Sequence, residues 1–161
     1  MNIMTIGMLV KRERKATGLS QKALAAASHV SRVTIVNLEK GNVGDIGIVK
    51  LSAIANVIDL PIFSSKHQKD YAKIALGNIN TSYARAMDIH SLEEVMLKGI
   101  IAPGFEAQVV HLIDETPTAI VAGAVKQIAN KNNVKPQLIW RHLSSIAREI
   151  HSPNQFWSNI E

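Results

Sequence analysis

The chain has 161 residues, of which 47% are apolar and 4% aromatic, and its net charge is +5. It is long enough for one large domain or two small ones, with a core built mainly from aliphatic side chains. The absence of cysteine excludes disulfides, thiolate nucleophiles and cysteine-ligated zinc. No apolar run reaches the ~18 residues of a membrane span, and the N-terminal apolar residues precede the charges, the reverse of a secretory signal. We therefore expect a cytoplasmic protein that does not associate with membranes.

Positive charge is concentrated near the N-terminus. Residues 1–63 carry eight Lys or Arg against four Asp or Glu, whereas residues 64–161 carry ten against nine. A basic segment beside a nearly neutral one favours contact of the first with a polyanion, although a merely solvated basic face would explain the charge equally well.

The first predicted helix runs from Thr5, a plausible N-cap, to Thr17, where Gly18 stops it. Its apolar residues recur at helical spacing on one face. The opposite face is charged, and we expect Glu13 to lie there in contact with water.

Two more short helices follow, separated by a tight turn. Ser20 is expected to cap the second helix, which ends near Ser28. Ser31 caps the third, residues 32–40, and Gly41 ends it. The sequence therefore predicts a helical hairpin between residues 20 and 41.

The outer face of the third helix has an unusual composition. Ile35 and Leu38 are three residues apart and turn inward, which leaves Arg32, Val33, Val36, Asn37 and Lys40 outside. Arg can form two hydrogen bonds to guanine, Asn can form two to adenine, and Val methyls can touch the methyl group of thymine. Such a set on one exposed face indicates readout of DNA bases.

A fourth helix is predicted over residues 46–58, with Asp45 as its cap. Its buried stripe is expected to contain Ile48, Leu51, Ile54, Ala55 and Ile58.

Residues 6–60 resemble the Cro/XRE-type helix-turn-helix of phage repressors and bacterial regulators. The matching residues are Leu19-Ser20-Gln21, Leu24-Ala25, Val30-Ser31, Ile35, Leu38-Glu39, Gly41 and Ile54-Ala55. The resemblance implies a repressor-like DNA-binding domain of four or five helices, residues 1–63, with double-stranded DNA as its partner.

The resemblance also implies a role for each matching position. The base-contacting residues would be Arg32, Val33 and Asn37, with Val36 nearby. The residues contacting phosphate or sugar would be Gln21, Ser31, Thr34 and Lys40. Arg14 and Glu39 would form a structural ion pair.

The sequence departs from the family pattern in three places. His29 stands where the family has glycine, so a positive φ is expected there with some strain. Ser28 stands at a usually apolar position, and the link over residues 42–47 is rich in glycine.

The rest of the chain is also predicted to be helical, which makes the whole protein all-α. Residues 64–80 are expected to form a linker leading into a short helix, and residues 81–161 a helical dimerisation or partner-binding domain. Gly99 is expected to end one helix and Pro136 to start another. Other expected helix starts are a capping box at Ser91, Pro103, Thr116-Pro117 as N-cap and first residue, and Ser152-Pro153.

The stretch over residues 118–129 is small and apolar on more than one face. It is either the central helix of this domain or a dimer seam, and the central helix is favoured for any single residue. Self-association through residues 64–161 is still expected, because one helix-turn-helix reads only a half-site.

The sequence offers nothing specific for catalysis. Its six histidines form no close metal-ligand pair, and it has no phosphate-binding glycine loop, nucleophile elbow or HExxH motif. We therefore expect no enzyme activity, catalytic residue, metal or cofactor. The leading hypothesis is a repressor that binds an inverted-repeat operator as a homodimer. The alternative is an antitoxin that holds a toxin through residues 64–161 and regulates its own operon. A third hypothesis, a small-ligand sensor, would need a pocket with convergent polar groups, and the sequence does not clearly show one.

Overall fold

The computed structural model describes residues 3–62 and 69–160, so the first part of the predicted linker, residues 64–68, lies outside the described residues. The described residues form nine α-helices and one 3₁₀ helix, with no strand. The helices are α1 Ile3–Thr17, α2 Gln21–Ala27, α3 Arg32–Lys40, α4 Ile48–Val57, α5 Tyr71–Ile79, α6 Ile89–Lys98, α7 Glu106–Asp114, α8 Thr118–Lys131, α9 Pro136–Glu149, and the 3₁₀ helix Gln155–Asn159. The prediction of an all-α fold is confirmed. None of the described helices is both long and apolar enough to cross a membrane.

Side-chain caps fix the ends of α2 and α3 where the sequence predicts them. The Ser20 hydroxyl accepts a hydrogen bond from the N–H of Ala23, and the Ser31 hydroxyl accepts one from the N–H of Thr34. Gly41 ends α3 in the left-handed conformation, with φ of 71°. These bonds satisfy backbone groups that would otherwise lack partners at the helix ends.

Three expectations for α1 and α4 are wrong. Thr5 lies inside α1, which begins at Ile3. Asp45 does not cap α4, because that helix begins at Ile48 behind Gly47. Ile48 consequently falls in an exposed first turn and is 64% exposed, and Val57 is buried in addition to the other predicted core residues of α4.

Other helix starts in the second half of the chain also differ from the prediction. Ser91 lies within α6, whose cap is the Asp88 carboxylate accepting from the N–H of Ser91 at 2.8 Å. Pro103 precedes α7 in a turn, because Gly104 follows it with a φ of 89°. As predicted, Gly99 ends α6 and Pro136 is the first residue of α9.

The predicted starts at Thr116 and Ser152 are wrong as well. Pro117 is itself the N-cap of α8, and the Thr116 hydroxyl donates instead to Asn78 Oδ1 at 3.1 Å. The last element begins at residue 155, where the Asn154 side chain accepts from the N–H of Phe156.

Helix α8 is the central helix of the second half. Its buried residues are Val121, Ala122, Gly123, Ala124, Val125, Ile128 and Ala129, and it packs against α1, α4, α5, α6 and α9. Gly123 allows α5 to approach closely, because a Cβ there would lie 2.6 Å from Cδ2 of Tyr71. The central-helix interpretation therefore holds, and the chain itself covers this apolar stretch.

Polar contacts join the first four helices to the rest of the chain. The Trp140 indole N–H donates to the carbonyl oxygen of Thr17 at 2.7 Å, and both residues are buried. Lys126 on α8 contacts the Glu13 carboxylate at 2.9 Å, so Glu13 does not simply face water as predicted. Burial, together with a hydrogen bond to Asp59, raises the pKa of Tyr71. These contacts hold α1 and the end of α4 against the second half of the chain.

Candidate nucleic-acid interface

Helix α3 has one face in the core and one face open to solvent. Ile35 and Leu38 are fully buried, and α3 packs mainly against α1 and α2. On the opposite side Arg32 and Lys40 are exposed and Val33 is 66% exposed, while Val36 and Asn37 are half-buried. The predicted base-contacting residues therefore share a face that the described helices of the second half leave largely uncovered.

Two hydroxyl groups lie at the exposed start of α3. Ser31 Oγ and Thr34 Oγ1 are 2.8 Å apart, and one donates a hydrogen bond to the other. Each hydroxyl carries a single proton, so one of the two protons remains free to donate outward. A phosphate oxygen is an acceptor that this free proton can satisfy.

An ion-pair network fixes α3 against α1 and the start of α2. Arg14 Nε and Nη2 donate to the two carboxylate oxygens of Glu39 at 2.6 and 2.9 Å, and Arg14 Nη1 donates to the carbonyl oxygen of Leu19 at 2.8 Å. Gln21 Nε2 also donates to Glu39, at 2.9 Å. The predicted partners Arg14 and Glu39 are thus in direct contact, and Gln21 keeps one amide hydrogen for a phosphate.

This network makes stability depend on pH. Burial alone would raise the pKa of Glu39, but hydrogen bonds from Arg14 and Gln21, with the charges of Arg14 and Lys11, hold it below its ordinary value of 4.5. A carboxylate with a lowered folded pKa stabilises the fold above its unfolded pKa, and that contribution is lost as the pH falls through the folded pKa. We expect the free energy of unfolding, measured with urea, to fall as the pH drops below 4.5.

The variant Glu39→Gln cannot titrate at this position. Its free energy of unfolding should therefore fall less steeply as the pH drops. The matched control Glu149→Gln, an exposed carboxylate on α9, should leave the decrease unchanged. A pH dependence in Glu39→Gln as steep as in the parent protein would assign the effect to other carboxylates.

Internal contacts engage three of the four acidic side chains of residues 3–62, and ion pairs neutralise two of these three. Glu39 is bound by Arg14, Glu13 by Lys126, and Asp59 by the Tyr71 hydroxyl. Six exposed cations remain on the first four helices and their connections: Lys11, Lys15, Lys22, Arg32, Lys40 and Lys50. A surface of this kind attracts a polyanion.

From the sequence alone, Lys11 and Lys22 contribute to the net charge, and neither is predicted to lie at the interface. Lys11 lies close enough to the network for its charge to lower the pKa of Glu39, and Lys22 follows Gln21 in the exposed first turn of α2. A helical projection of α1 could have placed Lys11 on the side of Arg14.

The turn between α2 and α3 accommodates the unusual residues at positions 28 and 29. His29 has a φ of 54°, so the expected positive φ is present, and its side chain is exposed. Ser28 is 3% exposed, and its hydroxyl donates to the carbonyl oxygen of Leu24 at 2.6 Å. A buried hydroxyl is tolerated at this usually apolar position because it has a partner.

Comparison with known proteins agrees with this geometry. A family model described as helix-turn-helix matches residues 10–63, from α1 to the end of α4 and just beyond. Residues 10–63 belong to the Cro/C1-type helix-turn-helix family. These residues therefore form a DNA-binding domain of the kind found in transcriptional regulators. No curated protein and no solved structure gives a match to the chain.

Proposed function

We propose that this protein is a transcriptional repressor that binds an inverted-repeat operator as a homodimer in the cytoplasm. It acts by binding, without enzyme activity or a cofactor. The observation that carries the proposal is the outer face of α3, which presents Arg32 and Val33 to solvent on a helix held in place by the Arg14–Glu39 pair.

In this proposal α3 of each copy enters the major groove of one half-site. Arg32 donates two hydrogen bonds to a guanine and Asn37 pairs with an adenine, while the methyl groups of Val33 and Val36 lie against thymine. Contacts to phosphate come from Gln21, Ser31, Thr34 and Lys40. They add affinity that depends on salt and not on sequence.

Dimerisation is proposed to use residues 64–161. Because α8 is covered by its own chain, the contact must use other surfaces of this half. Among the described residues of this half, five large apolar side chains are more than one third exposed: Ile74, Ile89, Ile100, Val110 and Leu138. Two linked copies would bind adjacent half-sites far more tightly than one copy binds either.

The base-contact assignments can be tested on an operator found by footprinting the promoter of the protein's own gene. Arg32→Ala should lose about 1–3 kcal/mol of discrimination at one base step, as expected for a bidentate base contact. Gln21→Ala should weaken binding to all sequences by a similar factor. Dissociation constants for the operator and for each single-base variant give both quantities.

Lys73→Ala is the matched control, because it removes one exposed positive charge from α5, outside the interface. It should leave operator preference unchanged. An equal loss on every sequence after Arg32→Ala would remove Arg32 from the base-contacting set.

The oligomeric state separates the repressor from the antitoxin alternative, since both share the same DNA interface. Light scattering of the purified protein should give the mass of a dimer. A monomer that co-purifies with the product of an adjacent gene would contradict the homodimer and favour the antitoxin.

A further inference from the structure

A cleft of about 670 Å³ lies between the helix-turn-helix and the second half of the chain. One wall is formed by the end of α2 and the turn residue His29. The other is formed by residues 114–119 and by the region of the 3₁₀ helix, residues 154–159. This volume falls within the range of small-molecule sites in proteins.

The lining of the cleft combines apolar and polar side chains. Ala26, Ala27, Val57 and Phe156 supply apolar surface. Around them the polar side chains divide into two groups according to whether they already have partners. An apolar surface with a few convergent polar groups is the usual composition of a ligand site.

The first group of polar side chains is fixed by internal hydrogen bonds. Thr116 Oγ1 donates to Asn78 Oδ1, Asn154 Oδ1 accepts from the N–H of Phe156, and Asn159 Nδ2 donates to the carbonyl oxygen of Gln155. These bonds make part of the wall rigid before any ligand arrives.

The second group is free to bind. Within the part of the chain that the structure describes, the side chains of His29, Thr118 and Gln155 make no hydrogen bond or ion pair, although all three line the cleft. His29 lies on one wall, and Thr118 and Gln155 lie on the other. A molecule in the cleft could therefore hydrogen-bond to both halves of the protein.

The charge of the cleft is opposite to that of the protein. Asp114 and Glu115 line it, and the described lining residues include no Lys or Arg, in a chain whose net charge is +5. The Ser152 hydroxyl donates to Asp114, which fixes one carboxylate. Anions such as phosphates and carboxylates are disfavoured here, and cations are favoured.

We propose that this cleft binds a small organic cation, an amine that carries an apolar group. The apolar group packs on Ala27 and Phe156, the ammonium group lies toward Asp114 and Glu115, and Thr118 supplies a hydrogen bond. The ligand contacts His29, two residues before the Ser31 cap of α3, so it braces the turn that positions the DNA-contacting helix. This inference does not rest on the proposed repressor function, because ligand binding is measured without DNA and can fail or succeed independently of operator binding.

Three probes of nearly equal size and different charge test this proposal: benzylamine, benzyl alcohol and benzoate. Each is titrated into the full chain at pH 7 and followed by amide chemical shifts. Benzylamine should shift the signals of His29, Thr118 and Gln155, and should bind at least about fivefold more tightly than benzoate, in keeping with a charge interaction at a partly exposed site. Equal binding of benzoate, no binding of benzylamine, or shifts confined to other regions would overturn the proposal.

A variant that lacks one carboxylate provides a second test of the proposal. Glu115→Gln removes one negative charge from a side chain that is 68% exposed, so the fold should be preserved. It should weaken benzylamine about twofold to fivefold and leave benzyl alcohol unchanged. Glu149→Gln, which removes the same charge from α9 outside the cleft, should change neither. Unchanged benzylamine binding in Glu115→Gln would contradict the assigned orientation and the proposed basis for cation preference.

Discussion

Replacing Gly7 with alanine is expected to destabilise the protein by about 1–3 kcal/mol or more, the cost of forcing an extra group into a packed core. Gly7 lies on α1 against α3, and a Cβ at this position would overlap the carbonyl oxygen of Leu38 and lie 3.0 Å from its carbonyl carbon. Both atoms belong to the backbone of α3, so no side chain can rotate to make room. The midpoint of thermal unfolding should fall by about 2–4 °C for each kcal/mol lost.

The same substitution should weaken DNA binding on all sequences. To accept the new methyl group, α1 and α3 must move apart, and the outer face of α3 moves with its backbone. Gly7→Ala should lower the affinity for every DNA sequence by a similar factor. Arg32→Ala should instead have its largest effect at one base step. Urea unfolding and operator binding measured on the same preparation distinguish the two effects.

Gly77→Ala is the matched control. Gly77 lies in α5, and a Cβ there would have no atom within 4 Å. Alanine in the interior of a helix is favoured over glycine, so this variant should be more stable by about 0.5–1 kcal/mol. The same change from glycine to alanine should therefore lower the free energy of unfolding at position 7 and raise it at position 77. A Gly7→Ala variant as stable as the parent protein would contradict the close approach of α1 and α3.

The sequence predicted α2, the turn and α3 closely because the signals in this region are local. Ser20 and Ser31 each cap a helix from the position just before its first residue, and Gly41 ends α3 by its own backbone conformation. Each of these features depends on neighbours within a few residues. The face of α3 that carries the proposed base contacts follows directly from its helical period.

Where local signals compete or are absent, the prediction failed. Asp88 and Ser91 are both suitable caps, and the structure uses the first, so the helix starts three residues earlier than predicted. The N-cap of α4 is Gly47, which has no side chain to hydrogen-bond the first turn. Local sequence rules therefore left the start of α4 undetermined, and Ile48 was wrongly assigned to the core.

Contacts between residues far apart in the chain could not be predicted from the sequence. Glu13 was expected in water because its neighbours on α1 are charged, but Lys126 meets it from α8. The bond from Trp140 to Thr17 joins residues 123 positions apart. Nothing in the periodicity of one helix indicates which face of another will cover it. The cleft beside His29 has the same origin, because both of its walls come from such long-range packing.

Replacing Glu39 with alanine is expected to cost about 3 kcal/mol of stability, the lower end of the range for breaking a buried ion pair. The side chains of Arg14 and Glu39 are 10% and 2% exposed, so the guanidinium left behind would be buried with only the carbonyl oxygen of Leu19 as partner. Gln21 would also lose its acceptor. Since Glu39 joins α3 to α1, operator affinity should fall together with stability in urea unfolding.

A double-mutant cycle isolates the pair itself. Arg14→Met and Glu39→Leu each leave one charge buried without its partner, so each alone should be strongly destabilising. The double variant removes both charges and should lose less than the sum of the two, since an apolar pair of similar volume can replace a buried ion pair at little cost. Additive losses would show that Arg14 and Glu39 stabilise the fold independently. A loss below about 0.5 kcal/mol in Glu39→Ala, the range of ordinary surface substitutions, would show that the contact does not hold α3 in place.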